Sequence, residues 1–124
     1  MRYAFHALLI TAVCIASTTI SGLAHGDDIY AAFAAVPKFG AKYHGYARAQ
    51  TREAARMLAL RACKNVLCRV MQEYSAGDCV YVFLGEHQVY WNQSNVRNVP
   101  RREMAAYCAR YDNGCKAIVS ECLR

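Results

Sequence analysis

The stretch 51–79, TREAARMLALRACKNVLCRVMQEYSAGDC, contains the elements that decide the fold. Thr51 is a suitable helix N-cap, and the apolar residues after it recur at helical spacing, which predicts a helix over Arg52–Cys63. Residues 68–74 have the composition of a strand, and Ser-Ala-Gly-Asp at 75–78 predicts a turn into a second strand, Cys79–Leu84.

The same order of features occurs twice, which predicts two loose repeats, 29–79 and 80–122. In each repeat an Arg-Glu pair opens an alanine-rich helix that leads to spaced cysteines. The other predicted elements are strands at 29–36, 42–47, 88–93 and 115–121 and a helix over Arg101–Tyr111. We therefore expect an α+β fold of two β-β-α-β units, with antiparallel sheet packed by two helices and stapled by disulfides.

The first 24 residues have the features of a secretory signal peptide. Arg2 supplies a positive start, an apolar run follows to residue 20, and Gly22 and Ala24 are small residues at the positions that a signal peptidase reads. We predict cleavage after Ala24, which leaves a single domain, 25–124, in the periplasm or outside the cell. An uncleaved membrane anchor is the alternative, although three hydroxyl residues at 17–19 interrupt the run.

Cleavage would remove Cys14 and leave six cysteines, an even number that indicates disulfides in an oxidising compartment. Their spacings, x4, x10, x28, x6 and x6, match no usual zinc motif, so we predict no metal and no cofactor. The most symmetric of the fifteen possible connectivities joins Cys63–Cys68 and Cys108–Cys115, each from a helix end to the next strand. The remaining bond, Cys79–Cys122, would link the two units.

The order of aromatic, alanine-rich and cysteine segments resembles a known family. Ile29-Tyr30-Ala31-Ala32, Tyr43-x-Gly45-Tyr46, Arg52-Glu53-Ala54-Ala55 and the cysteines that follow are similar to domain of unknown function 4189. The resemblance covers residues 29–122 and implies a small exported bacterial protein, often with two copies of the motif. It implies no established activity, and therefore no catalytic residue can be carried over.

Basic residues outnumber acidic ones by 15 to 9, a net charge of +6 that becomes +5 once Arg2 is removed. One basic group surrounds the first helix: Arg48, Arg52, Arg56, Arg61 and Lys64. A second group precedes and opens the second helix, next to two aromatic residues, and its candidate binding residues are Arg97, Arg101, Arg102, Tyr90 and Trp91. Arginine makes bidentate contacts with phosphate and carboxylate groups.

These features favour a non-enzymatic binding module that engages an anionic envelope polymer or a protein through an arginine-rich face. Ordinary solvated faces are the alternative explanation of both basic groups. Export argues against a nucleic-acid partner, and membrane association is expected only through the signal, if it stays uncleaved.

A small secreted basic hydrolase or toxin, nuclease-like, is the alternative function. His44 and His87 would act as general base and acid, with Glu73 and Arg69 completing the site. Nothing in the sequence places these four residues together.

Overall fold

The computed structural model describes residues 28–94 and 100–124. The predicted signal peptide, its cleavage site and Arg97 lie outside these residues. The elements are β1 (Tyr30–Ala35), β2 (His44–Ala49), α1 (Arg52–Cys63), β3 (Arg69–Ser75), β4 (Cys79–Leu84), β5 (Val89–Trp91), α2 (Arg101–Tyr111) and β6 (Lys116–Cys122). The strands form two antiparallel three-stranded sheets, ordered β2-β1-β3 and β5-β4-β6. The α+β class with two β-β-α-β units is confirmed, with the antiparallel strands divided between two sheets.

The two sheets pack face to face around a shared apolar core. Ala31, Phe33 and Ala35 of β1 lie in this core with Val80 and Val82 of β4. Helix α1 packs on the opposite face of the first sheet and α2 on the opposite face of the second. Successive side chains of a strand point to opposite faces, so β1 is buried on both sides. The resulting order of layers is α1, first sheet, second sheet, α2.

The central strand of each sheet has a register shift at the same place. On β1 it falls between Phe33 and Ala34, where Met71 of β3 is the extra, bulged residue. On β4 it falls between Val82 and Phe83, where Ile118 of β6 is the bulged residue. A bulge of this kind bends the strand and re-aims a side chain. Both bulged residues pack against the shared core, so each bulge contributes to the contact between the sheets.

Helix α1 lies very close to its sheet because small residues face each other there. Ala32 and Ala34 of β1 pack against Ala55 and Ala59 of the helix. A Cβ atom on Gly45 of β2 would come within 2.4 Å of the Ala59 carbonyl oxygen. The alanine content and this glycine therefore determine the distance between α1 and β2.

Three disulfides join Cys63–Cys68, Cys108–Cys115 and Cys79–Cys122, the pairs expected from the sequence. The first two connect the C-terminus of each helix to the next strand. The expected role of the third bond is wrong, because Cys79 begins β4 and faces Cys122 on β6. The bond therefore lies within the second sheet and does not link the two units.

Strand β5 is shorter than the predicted 88–93 because the Asn92 side chain takes one of the two backbone bonds that would continue the pairing, while the Asn92 N–H still donates to the Tyr81 carbonyl at 3.3 Å. Its Oδ1 accepts a hydrogen bond from the Tyr81 N–H at 2.8 Å, and its Nδ2 donates to the Cys79 carbonyl at 2.7 Å. The Asn92 carbonyl in turn accepts the Tyr74 hydroxyl at 2.6 Å. This buried asparagine connects β5, β4 and β3 beyond the last ladder pair.

Strand β2 also begins two residues later than predicted, because residues 42 and 43 belong to the loop after β1. The Phe39 carbonyl accepts hydrogen bonds from the backbone N–H groups of Lys42 and Tyr43, both at 3.0 Å. Within the described residues, no helix has the length and apolar character needed to cross a membrane.

Candidate functional site

Most of the basic group around α1 takes part in internal ion pairs. The Arg48 guanidinium lies 2.9 Å from the Glu121 carboxylate, and Arg52 and Arg56 lie 3.9 and 3.3 Å from that of Glu73. Such partly exposed pairs contribute about 0–1 kcal/mol each, but they neutralise the charge locally. The first basic group therefore offers less free positive charge than its sequence indicates.

The Glu121 carboxylate also joins the two sheets. Its second oxygen accepts a hydrogen bond from the Tyr46 hydroxyl at 2.5 Å, so β2 of the first sheet contacts β6 of the second. Burial, followed by this hydrogen bond and the carboxylate charge, raises the pKa of Tyr46 well above its usual value. Tyr46 therefore stays neutral over the physiological pH range and acts as a structural donor.

The second basic group has a different environment. Arg101 and Arg102 occupy the first turn of α2, and both are exposed. Across residues 28–94 and 100–124 neither forms an ion pair with a carboxylate. Their guanidinium groups are therefore available to an external anion, unlike those of Arg48, Arg52 and Arg56.

Tyr90 and Trp91, expected as part of one binding edge, point to opposite faces of β5. The Trp91 ring lies 5.2 Å from that of Phe33, in the core between the sheets. The Tyr90 ring lies on the α2 side and packs edge-on against Tyr107, with ring centroids 6.0 Å apart. Both residues border a cavity of 280 Å³ at the free edge of β5, which Tyr107 of α2 also lines. Of the two, only Tyr90 packs against α2.

Tyr107 and Tyr111 extend this aromatic surface, and the sequence analysis did not single them out. Their ring centroids are 4.9 Å apart, and both side chains are exposed. Residues four apart lie on one face of a helix, so their spacing is the signal that identifies the pair. Helix α2 thus exposes Arg101 and Arg102 in its first turn and two tyrosines nearer its C-terminus, and we call these four residues the α2 face. With about 3.6 residues per turn, Arg102 lies on the side of the helix away from the tyrosines.

The proposed pairing of His44 with His87 does not occur. The Nδ1 atom of His44 lies 2.8 Å from the Gly40 carbonyl oxygen, whereas that of His87 lies 3.0 Å from Oδ1 of Asp112. His44 does not line the cavity that His87 borders. The other two proposed members lie elsewhere, since Glu73 pairs with arginines of α1 and Arg69 lines a separate cavity.

Asp112 is a buried acceptor that holds the β4–β5 turn against the end of α2. Its carboxylate accepts backbone hydrogen bonds from His87 at 3.1 Å, Gln88 at 2.9 Å and Asn113 at 2.8 Å. The His87 side chain and these donors hold the pKa of Asp112 well below its usual value, against the effect of burial. The hydrogen bond to Asp112, then its charge, raises the pKa of His87. The two residues are 25 positions apart, and no local motif indicated that they meet.

Among the described residues, no group of three or more histidine, cysteine or acidic side chains is placed to hold a metal ion. Comparisons with protein-family models, curated proteins and solved structures find no match for this chain. The resemblance to domain of unknown function 4189 stays a prediction.

Proposed function

We propose that this chain is an exported, non-enzymatic binding module that engages an anionic envelope component or an anionic protein through the α2 face. The observation that carries the proposal is that Arg101 and Arg102 are exposed without a carboxylate partner in the described residues, while three arginines of the first group are ion-paired. The exposed Tyr107 and Tyr111 add rigid, amphipathic contact area further along the same helix. Arg97 precedes the helix and, under this proposal, adds a third cation.

Export is part of the same proposal. Three disulfides in a domain of about a hundred residues are typical of an oxidising compartment. The apolar segment before residue 24 would direct the chain there, and the resemblance to domain of unknown function 4189 points in the same direction. The periplasm and the cell exterior both offer anionic polymers as partners.

The hydrolase alternative receives less support. A general acid and a general base must both reach one reacting group, and His44 and His87 have separate partners and separate surroundings. The contact with Asp112 would orient the His87 ring for catalysis. However, the Asp112 carboxylate also accepts hydrogen bonds from the backbone of the β4–β5 turn, so its role is equally explained as structural.

The test uses a polyanion without lipid, so that binding through charge is measured alone. The mature protein is passed over immobilised dextran sulfate and eluted with increasing salt. We expect retention at low ionic strength that is lost as salt screens the charges. The double variant Arg101→Glu, Arg102→Glu should elute at clearly lower salt than the wild type.

The matched control is Arg61→Glu, Lys116→Glu, which makes the same change in net charge at two exposed positions outside the α2 face. If both double variants shift elution equally, binding follows net charge and the assignment to the α2 face is wrong. Absence of retention at low salt would contradict the proposal as a whole. Far-ultraviolet circular dichroism of all three proteins verifies that folding is unchanged.

A further inference from the structure

Three large apolar side chains are exposed on two neighbouring loops. Phe39, in the loop between β1 and β2, is 63% exposed, and Val66 and Leu67, in the loop between α1 and β3, are 99% and 64% exposed. All three line one cavity of 380 Å³, so the two loops form a single surface. Exposing this much apolar side chain at one place is unfavourable in water and indicates an interaction site.

Both loops hold these side chains on an ordered backbone. The Phe39 N–H donates to the Val36 carbonyl at 3.0 Å, in addition to the two bonds that the Phe39 carbonyl accepts. The second loop is closed by the Cys63–Cys68 disulfide, and Asn65 Oδ1 accepts the Leu67 N–H at 2.8 Å. The backbone that carries the apolar side chains therefore has little conformational freedom left to lose on binding.

Cations lie on both sides of the apolar residues. Arg69 lines the 380 Å³ cavity, while Lys38 and Lys42 line an adjacent cavity of 510 Å³ that shares Phe39 with it. Glu86 is the one acidic side chain among the residues that line these two cavities. The surface therefore combines projecting apolar groups with an excess of positive charge.

We propose that this surface, formed by Phe39, Val66, Leu67, Lys38, Lys42 and Arg69 and called here the loop surface, docks on an anionic phospholipid bilayer. The apolar side chains would enter the boundary between headgroups and acyl chains, and the cations would lie at the level of the anionic headgroups. The almost complete exposure of Val66 favours a bilayer, because a side chain that projects from the protein inserts readily into a soft surface. Charge complementarity favours anionic lipid over a neutral surface.

This proposal does not depend on the α2 face, and it replaces the expectation from the sequence that only an uncleaved signal would associate with a membrane. Polyanions bind through charge alone, whereas the loop surface also requires its apolar residues. A variant that loses apolar side chains and keeps every charge therefore separates the two proposals.

The experiment is co-sedimentation of the mature protein with two kinds of vesicle. One contains phosphatidylcholine with roughly 30% phosphatidylglycerol, and the other contains phosphatidylcholine alone. We expect binding to the first and at least ten-fold weaker binding to the second. Phe39→Ser should weaken binding to anionic vesicles about ten-fold, because the ring no longer leaves water. Replacing Lys38 and Lys42 with glutamine should weaken it roughly 25-fold, about five-fold for each lysine.

Two control variants define the surface. Met57→Ser removes an apolar side chain that is 51% exposed on α1 and lines neither cavity, and it should leave vesicle binding unchanged. Arg101→Glu, Arg102→Glu alters the α2 face and should change vesicle binding less than the lysine replacements do. Phe39→Ser should leave retention on dextran sulfate unchanged, so that failure of one proposal can be distinguished from failure of the other.

Three results would overturn the proposal. Equal effects of Phe39→Ser and Met57→Ser would mean that the loop surface does not enter the bilayer. Equal binding to neutral and anionic vesicles would remove the role of its cations. A dimer in sedimentation velocity that Phe39→Ser dissociates would show that a second copy of the chain covers the apolar residues.

Discussion

Replacing Gly45 with alanine tests whether the close approach of α1 to β2 determines the packing of the first unit. The added Cβ would lie 2.4 Å from the Ala59 carbonyl oxygen, 2.5 Å from the Cys63 nitrogen and 2.8 Å from the Ala62 carbonyl carbon. Ordinary Cβ contacts begin near 3.4 Å, so helix and strand would have to separate by about 1 Å. All three atoms belong to the backbone, and no side-chain rotation relieves the contact.

The expected destabilisation follows from these distances. Overpacking a well-packed site costs about 1–3 kcal/mol, and contact with rigid backbone places Gly45→Ala at the upper end of that range. Reduced freedom of the unfolded chain returns about 0.4–1 kcal/mol, which leaves a net loss of about 2 kcal/mol. For a domain of this size, that loss lowers Tm by roughly 8–16 °C.

The assay is urea denaturation with all disulfides oxidised, followed by circular dichroism, together with thermal melting. Gly77→Ala is the control: Gly77 has a φ of +93° and nothing within 4 Å of an added Cβ. Its expected cost comes from the left-handed backbone alone and amounts to about 1 kcal/mol. If Gly45→Ala costs no more than Gly77→Ala, the helix is free to move outward and our explanation of the alanine-rich contact is wrong.

Two further predictions concern the crosslinks and the buried carboxylate. Replacing both cysteines of the Cys79–Cys122 bond with serine should destabilise the protein by about 4 kcal/mol, because the bond closes a segment of 43 residues. The same change at Cys63–Cys68, which closes 5 residues, should cost about 2 kcal/mol. Equal losses in denaturant titrations would contradict the role of loop length. The raised pKa of His87 means that its contact with Asp112 stabilises the fold fully below the ordinary value of 6.5 and progressively less as the pH rises through the folded pKa. His87→Ala should therefore lower Tm more at pH 5.5 than at pH 9, and a difference independent of pH would exclude this linkage.

Local sequence signals predicted the elements because each signal acts within a few residues. Both helices have the predicted bounds, Arg52–Cys63 and Arg101–Tyr111, since the first is capped by the Thr51 side chain and the second begins after Pro100. The β5 prediction was too long because at Asn92 the side-chain oxygen, and not the backbone carbonyl, accepts the Tyr81 N–H. No pattern of apolar residues could indicate that a side-chain oxygen would accept this backbone hydrogen bond.

The basic groups show the same division between local and distant information. The sequence indicated more positive charge around α1 than around the start of α2. Folding brings Glu73 beside Arg52 and Arg56, and Glu121 beside Arg48, so that three of the five cations around α1 are ion-paired and the excess over the start of α2 disappears. Positions of opposite charge that lie far apart along the chain cannot be paired without knowing the topology.

The sequence by itself determined the two β-β-α-β units and the helix bounds, because caps and turns are local features. It favoured the pairs of cysteines that the structure has, through their symmetric placement, without excluding the other connectivities. Only the tertiary structure decided that Cys79–Cys122 lies within one sheet, that Asp112 meets His87, and that Phe39 shares a surface with Val66 and Leu67. These contacts depend on how two sheets and two helices stack. Stacking is governed by the fit of small side chains across layers, and a linear pattern records the side chains but not their partners.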